Sequence, residues 1–98
     1  MVHINDENDI NNEVYNIVSN PDQDCFLNID NQYLKNILFF KLKEYFQSIY
    51  RINCHSSENR LQADLNKSVS ADLVIIDNCK SLTDFSKINI LNRKIYIY

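Results

Sequence analysis

Apolar positions along the chain repeat with two periods, one helical and one extended. In "DINNEVYNIVSN", Ile10, Val14, Ile17 and Val18 fall on one helical face, predicting a short amphipathic helix with Asp9 as N-cap and an end forced by Pro21. Met1 to Asp9 is polar and predicts a mobile start, with Val2 and Ile4 tacked down locally. After the turn "PDQD", Cys25 to Asp30 ("CFLNID") predicts a short strand. "NQYLKNILFFKLKEYFQSIY", Asn31 to Tyr50, is the longest helical signal, with Leu34, Ile37, Leu38, Leu42, Tyr45, Phe46 and Ile49 in one broad stripe. Asp30 or Asn31 caps its start.

Beyond it the pattern predicts a strand ("YRINC"), a short helix capped by Ser56 or Ser57 ("SSENRLQADLNKS"), a strand ("ADLVIID"), a weak helix or loop ("SLTDFSKINIL") and a last strand ("RKIYIY"). Strands alternating with helices imply parallel pairing in a layered α/β sheet, because each crossover helix then covers a face. The expected architecture is a three-layer α/β fold with a parallel sheet of about four strands and an extra N-terminal helix. Residues 1–24 read as an acidic extension and 25–98 as the α/β domain. "LVIID" is continuously apolar and predicts the most buried strand. Asp30 and Asp77 fall at carboxyl ends of strands, where open α/β sheets bind ligands.

With 98 residues and 45% apolar content the chain has enough material for one core. It contains no Gly and one Pro, so a turn needing positive φ must use Asn or Asp, and Gly-rich phosphate loops are excluded. Cys25, Cys54 and Cys79 are odd in number and form no Cys-x-x-Cys pair, which argues against a disulfide framework and for a reducing, cytoplasmic setting. No apolar run reaches membrane-span length and no secretory leader is visible. Net charge is −3, with seven acidic and no basic residues up to Asp30, then ten basic and six acidic. The basic residues are scattered among acids, which argues against direct nucleic-acid binding.

Phe26 to Tyr98 resembles the receiver domain of bacterial response regulators. "LNIDN", with Asp30 before Asn31, matches the acidic pair that ends that family's first strand, and "DLVIID" matches its phosphoacceptor phrase at Asp77. The resemblance implies a flavodoxin-like fold and a two-component signalling context. It also implies an acidic pocket at Asp30 and Asn31 and a phosphoacceptor-like Asp77. Three departures follow. Asn31 replaces a carboxylate, so Mg²⁺ is held only weakly, by Asp30 and Asp77. The hydroxyl residue and the lysine that bind the phosphoryl oxygens have no counterpart after "KIYIY". "NCKSLTDF" lacks the usual Pro and Gly. The expectation is a degenerate receiver-like module that contacts proteins without phosphotransfer, is not an enzyme and has no resident cofactor. A functional phosphoreceiver at Asp77 is the first alternative.

"KIYIY" reads as an exposed edge strand with Tyr96 and Tyr98 on its wetter side, an interface through which a homodimer can form. The N-terminal helix is expected to cover the sheet beside the long helix. The second alternative is a small metal- or thiol-dependent enzyme using Cys79 and His55 with Asp30 and Asp77. Cys25 and Cys54 are expected in the core. The aromatic helix residues Phe39, Phe40, Tyr45, Phe46 and Tyr50 exceed what one core stripe needs, so part of that surface is expected to form an interface.

Overall fold

The computed structural model describes Met1–Tyr98. Helix α1 (Glu7–Ser19) starts where Asp6 accepts a hydrogen bond from the Asp9 backbone N–H, so Asp6 rather than Asp9 is the N-cap. Asp9 instead reaches back to the Asn5 N–H at 2.8 Å, a reciprocal arrangement that satisfies two free donors. Helix α2 (Gln32–Leu42) is capped by Asn31, whose Oδ1 accepts from the N–H groups of Tyr33 and Leu34. It ends well before Tyr50: Ile49 and Tyr50 belong to strand β3 (Ile49–Asn53), where they pair with Leu73 and Val74. Helix α3 (Glu58–Lys67) is capped by Ser57.

The sheet has five strands, not four. The polar start contributes β1 (Val2–His3), followed by β2 (Cys25–Asn28), β3, β4 (Leu73–Asp77) and β5 (Lys94–Ile97), all parallel, in the order β1-β2-β5-β4-β3. A flavodoxin-like sheet runs 2-1-3-4-5, so this chain shares the layered, all-parallel plan and differs in strand order.

The order corrects the reading of "KIYIY". β5 lies between β2 and β4, and all four of its residues are buried. Ile95 and Ile97 face the core beneath α1 and α2, while Tyr96 faces the opposite core and stacks on Phe26 with ring centroids 4.8 Å apart. Side-chain alternation was read correctly, but both faces are covered, so Tyr96 forms no exposed interface and β5 offers no edge for a homodimer. Tyr98 is half-buried against the second core. The edges of the sheet are β1 and β3.

Connections that cross the sheet in one direction share a face, as a single crossover hand requires. α1 (β1 to β2) and α2 (β2 to β3) cover one side with Ile10, Val14, Ile17, Leu34, Leu38 and Leu42. α3 (β3 to β4) and the 3-10 turn Asp84–Lys87 (β4 to β5) run back and cover the other with Leu61, Leu65 and Ile88. β4 is buried along its whole length, as its continuous apolar run predicts. The acidic N-terminal segment is thus stitched into the same sheet and core, and Asp24 meets Lys94 at 3.4 Å.

Candidate functional site

Parallel strands deliver their carboxyl ends to one rim. β2 hands over to Asp30 and Asn31, β3 to Cys54 and His55, and β4 ends on Asp77 itself. The chain leaves β2 toward the α2 face but leaves β3 and β4 toward the opposite face, so this rim contains the change of direction where α/β folds open a crevice. An open cleft of about 400 Å³ lies there, lined among others by Asp30, Lys35, Asn53, His55, Asn78 and Tyr98. A neighbouring cleft holds Asp77, Arg51, Asn53 and Asn78. Asp30 and Asp77 therefore share the rim but lie in adjoining clefts.

Asp77 continues the alternation of Leu73 and Ile75, so its carboxylate faces α2. Its Oδ1 accepts from Lys35 Nζ at 2.9 Å and from the Asn78 N–H at 2.7 Å, and Arg51 Nη2 stands 3.7 Å from Oδ2. Arg51 also lies over the Phe39 ring, 3.8 Å from its centroid, which holds the guanidinium in place. Sequence alone offers no cation for Asp77; the structure supplies two. Lys35 does not stand out in the apolar periodicity because it lies off the stripe, as Lys41, Lys43 and Glu44 do. Its position four residues after the cap, on the first turn of a helix leaving the rim, is the signal that locates it.

Asn31 turns its side-chain oxygen to the start of α2 and is not among the residues lining the two rim clefts. Asp30 is exposed. Asn78 takes a φ of 60°, the left-handed turn that a chain without glycine assigns to asparagine.

On the opposite face of the same rim a second group of side chains converges. Cys54 and Cys79 are buried in the same cluster, and the Cys79 thiol donates to the Ile76 carbonyl at 3.6 Å. Burial, then the neighbouring Cys54 sulfur, pushes the Cys79 thiol up to about 12. Burial likewise raises Cys54 and Cys25. The Cys79 thiol is bonded to the Ile76 carbonyl and no hydrogen bond joins it to His55, so the expected Cys79–His55 pair is not assembled here. His55 instead contacts Asp84, Nε2 to Oδ2 at 3.1 Å. The Asp84 carboxylate accepts the N–H groups of Lys80 (2.8 Å) and Ser81 (3.0 Å), which together hold it well below the usual carboxylate range. Asp84 lies in the segment that reads as a weak helix or loop, and it starts a 3-10 turn there.

A third feature lies away from the rim. Between α1 and α2, a groove of about 510 Å³ is lined by Tyr15, Val18, Phe40 and Tyr45, with Lys41 and Glu44 beside them. No helix is long and apolar enough to cross a membrane. Comparison with family models, curated proteins and solved structures finds no match.

Proposed function

We propose that the chain is a regulatory protein-interaction module that receives a basic amphipathic helix of a partner protein in the groove between α1 and α2. One observation carries this reading: Tyr15, Phe40 and Tyr45 are 73%, 69% and 57% exposed, yet they gather with Val18 in one furrow. Clustered exposed aromatics mark interaction surfaces, and a furrow between two packed helices accepts a third. The groove's own lining balances Lys41 against Glu44, so the partner's charge follows from the α1 wall as a whole, which carries Glu7, Asp9 and Glu13 and no Lys or Arg. Asp77 at the rim is already paired within the fold with Lys35 and Arg51, which favours the groove over the rim as the partner surface.

The test is fluorescence anisotropy with a labelled helical peptide of leucine and lysine, beside an isomer with glutamate in place of lysine. The basic peptide should saturate, Phe40→Glu should abolish binding without changing the circular dichroism, and Asp77→Asn should leave it unchanged. Equal binding of both peptides, binding that survives Phe40→Glu, or a groove closed by self-association in sedimentation would overturn the reading.

A second reading, a phosphoacceptor at Asp77 in a receiver-like module, is favoured by Lys35. Its ammonium lies 2.9 Å from Oδ1, where a cation would neutralise phosphoryl oxygens. Incubation with acetyl phosphate and Mg²⁺ separates the two readings. The interaction module gives no adduct, while a phosphoryl group found on Asp77 by mass spectrometry would establish the second.

A further inference from the structure

The side chains on the face opposite Asp77 serve neither reading. We infer that Cys54, His55 and Asp84 form a transition-metal site suited to Zn²⁺, with one thiolate, one imidazole and one carboxylate as ligands.

The three donor atoms lie within 4.8 Å of one another. Tetrahedral zinc, with bonds of about 2.0 to 2.3 Å, separates its ligand atoms by about 3.5 Å, so closing the site takes a movement on the order of 1 Å. The backbone already holds each ligand near its place. Cys54 is tied to the end of β4 by its N–H to the Asp77 carbonyl at 2.9 Å. The His55 N–H is fixed by Asn53 Oδ1, also at 2.9 Å. Asp84 is oriented by the Lys80 and Ser81 N–H groups on Oδ2, an outer sphere of the kind that aims ligating carboxylates. Its Oδ1 meets only Lys87 Nζ at 3.4 Å, and that side chain is 46% exposed and free to swing into solvent. Cys79 packs in the same buried cluster but spends its S–H on the Ile76 carbonyl at 3.6 Å, so it stands outside the ligand set.

The donor chemistry selects the ion. Thiolate and imidazole favour zinc and its transition-metal neighbours over Mg²⁺ or Ca²⁺, which want oxygen alone. An entry path exists as well, because a cleft of about 460 Å³ is lined by Cys54, His55, Ser56, Glu58 and Lys87. Three protein ligands leave a fourth position, which that cleft opens to water or a small anion. The inference is independent of the α1–α2 groove, which lies on the other side of the sheet.

The experiment is a Co²⁺ titration of the full chain, purified metal-free and kept reduced by a phosphine. The expected result is a thiolate-to-cobalt charge-transfer band with intense four-coordinate visible bands, both displaced by Zn²⁺. Cys54→Ser should remove the charge-transfer band and Cys25→Ser should keep it. His55→Ala, a change at an exposed residue that leaves folding intact by circular dichroism, should weaken Zn²⁺ binding at least about a hundredfold against a chromophoric chelator. Absence of a charge-transfer band, a band that survives Cys54→Ser, or Zn²⁺ affinity unchanged by His55→Ala would overturn the site.

Discussion

Lys35 Nζ lies 2.9 Å from Asp77 Oδ1, although 42 positions separate the two residues. Both side chains are largely withdrawn from water, at 12% and 13% exposure. Taking either partner away strands the other, since an unpaired charge in such a place loses its hydration without compensation. The pair thus joins α2 to the end of β4 and accounts for a carboxylate at the end of the most buried strand.

Lys35→Met should lower stability by about 2 kcal/mol, below the usual cost of breaking a buried pair because Arg51 and the Asn78 N–H still serve Asp77. Adding Asp77→Asn to that variant should recover part of the loss. Urea denaturation of the two single variants and the double variant measures the coupling; strictly additive losses would show that the pair contributes nothing.

At Asn78 the left-handed φ of 60° makes the side chain's identity a backbone matter. Asn78→Ala should cost about 1 kcal/mol, whereas Asn78→Gly should be nearly neutral, because glycine occupies that region freely. Thermal melts of the two variants check the order, and the reverse order would contradict it.

Asp84 links stability to pH. Its carboxyl is held below the ordinary range in the folded chain, chiefly by the Lys80 and Ser81 N–H groups. The folded state therefore binds this proton less readily than the unfolded state does. The resulting stabilisation is complete above the unfolded carboxyl value of about 3.9 and is lost as pH falls below it toward the folded value. Asp84→Asn should flatten the acid limb of a plot of urea midpoint against pH, and an unchanged limb would count against this linkage.

Thiol reactivity should follow burial. Cys79, raised to about 12, and buried Cys54 should resist iodoacetamide at about pH 8 until the chain unfolds, while half-buried Cys25 reacts first. Peptide mapping of a short alkylation time course reads the order directly. Rapid labelling of Cys79 in the native chain would restore a nucleophilic role for it.

The candidate site was legible in pieces. Asp77 and Asp30 were visible as strand-ending carboxylates, and both reach the rim. Asn31 was read as a helix cap and as a pocket residue, and the structure shows the cap. Arg51 and Asp84 left no local mark and Lys35 only its place on the first turn after the cap, because each acquires its role from a partner in another element. Cys54 was correctly placed in the core, while its neighbourhood with His55, Cys79 and Asp84 depends on how the β3 and β4 exits converge.

Local pattern determined by itself the three helices, four of the five strands, their parallel pairing and the alternation of Ile95 and Ile97 against Tyr96, because periodicity and caps are properties of neighbouring residues. Tertiary structure alone decided that α2 stops at Leu42, that Val2 and His3 join the sheet and that β5 lies at its centre rather than its edge. Strand order is set by which crossovers bury the most apolar surface together, and no short window of sequence contains that sum.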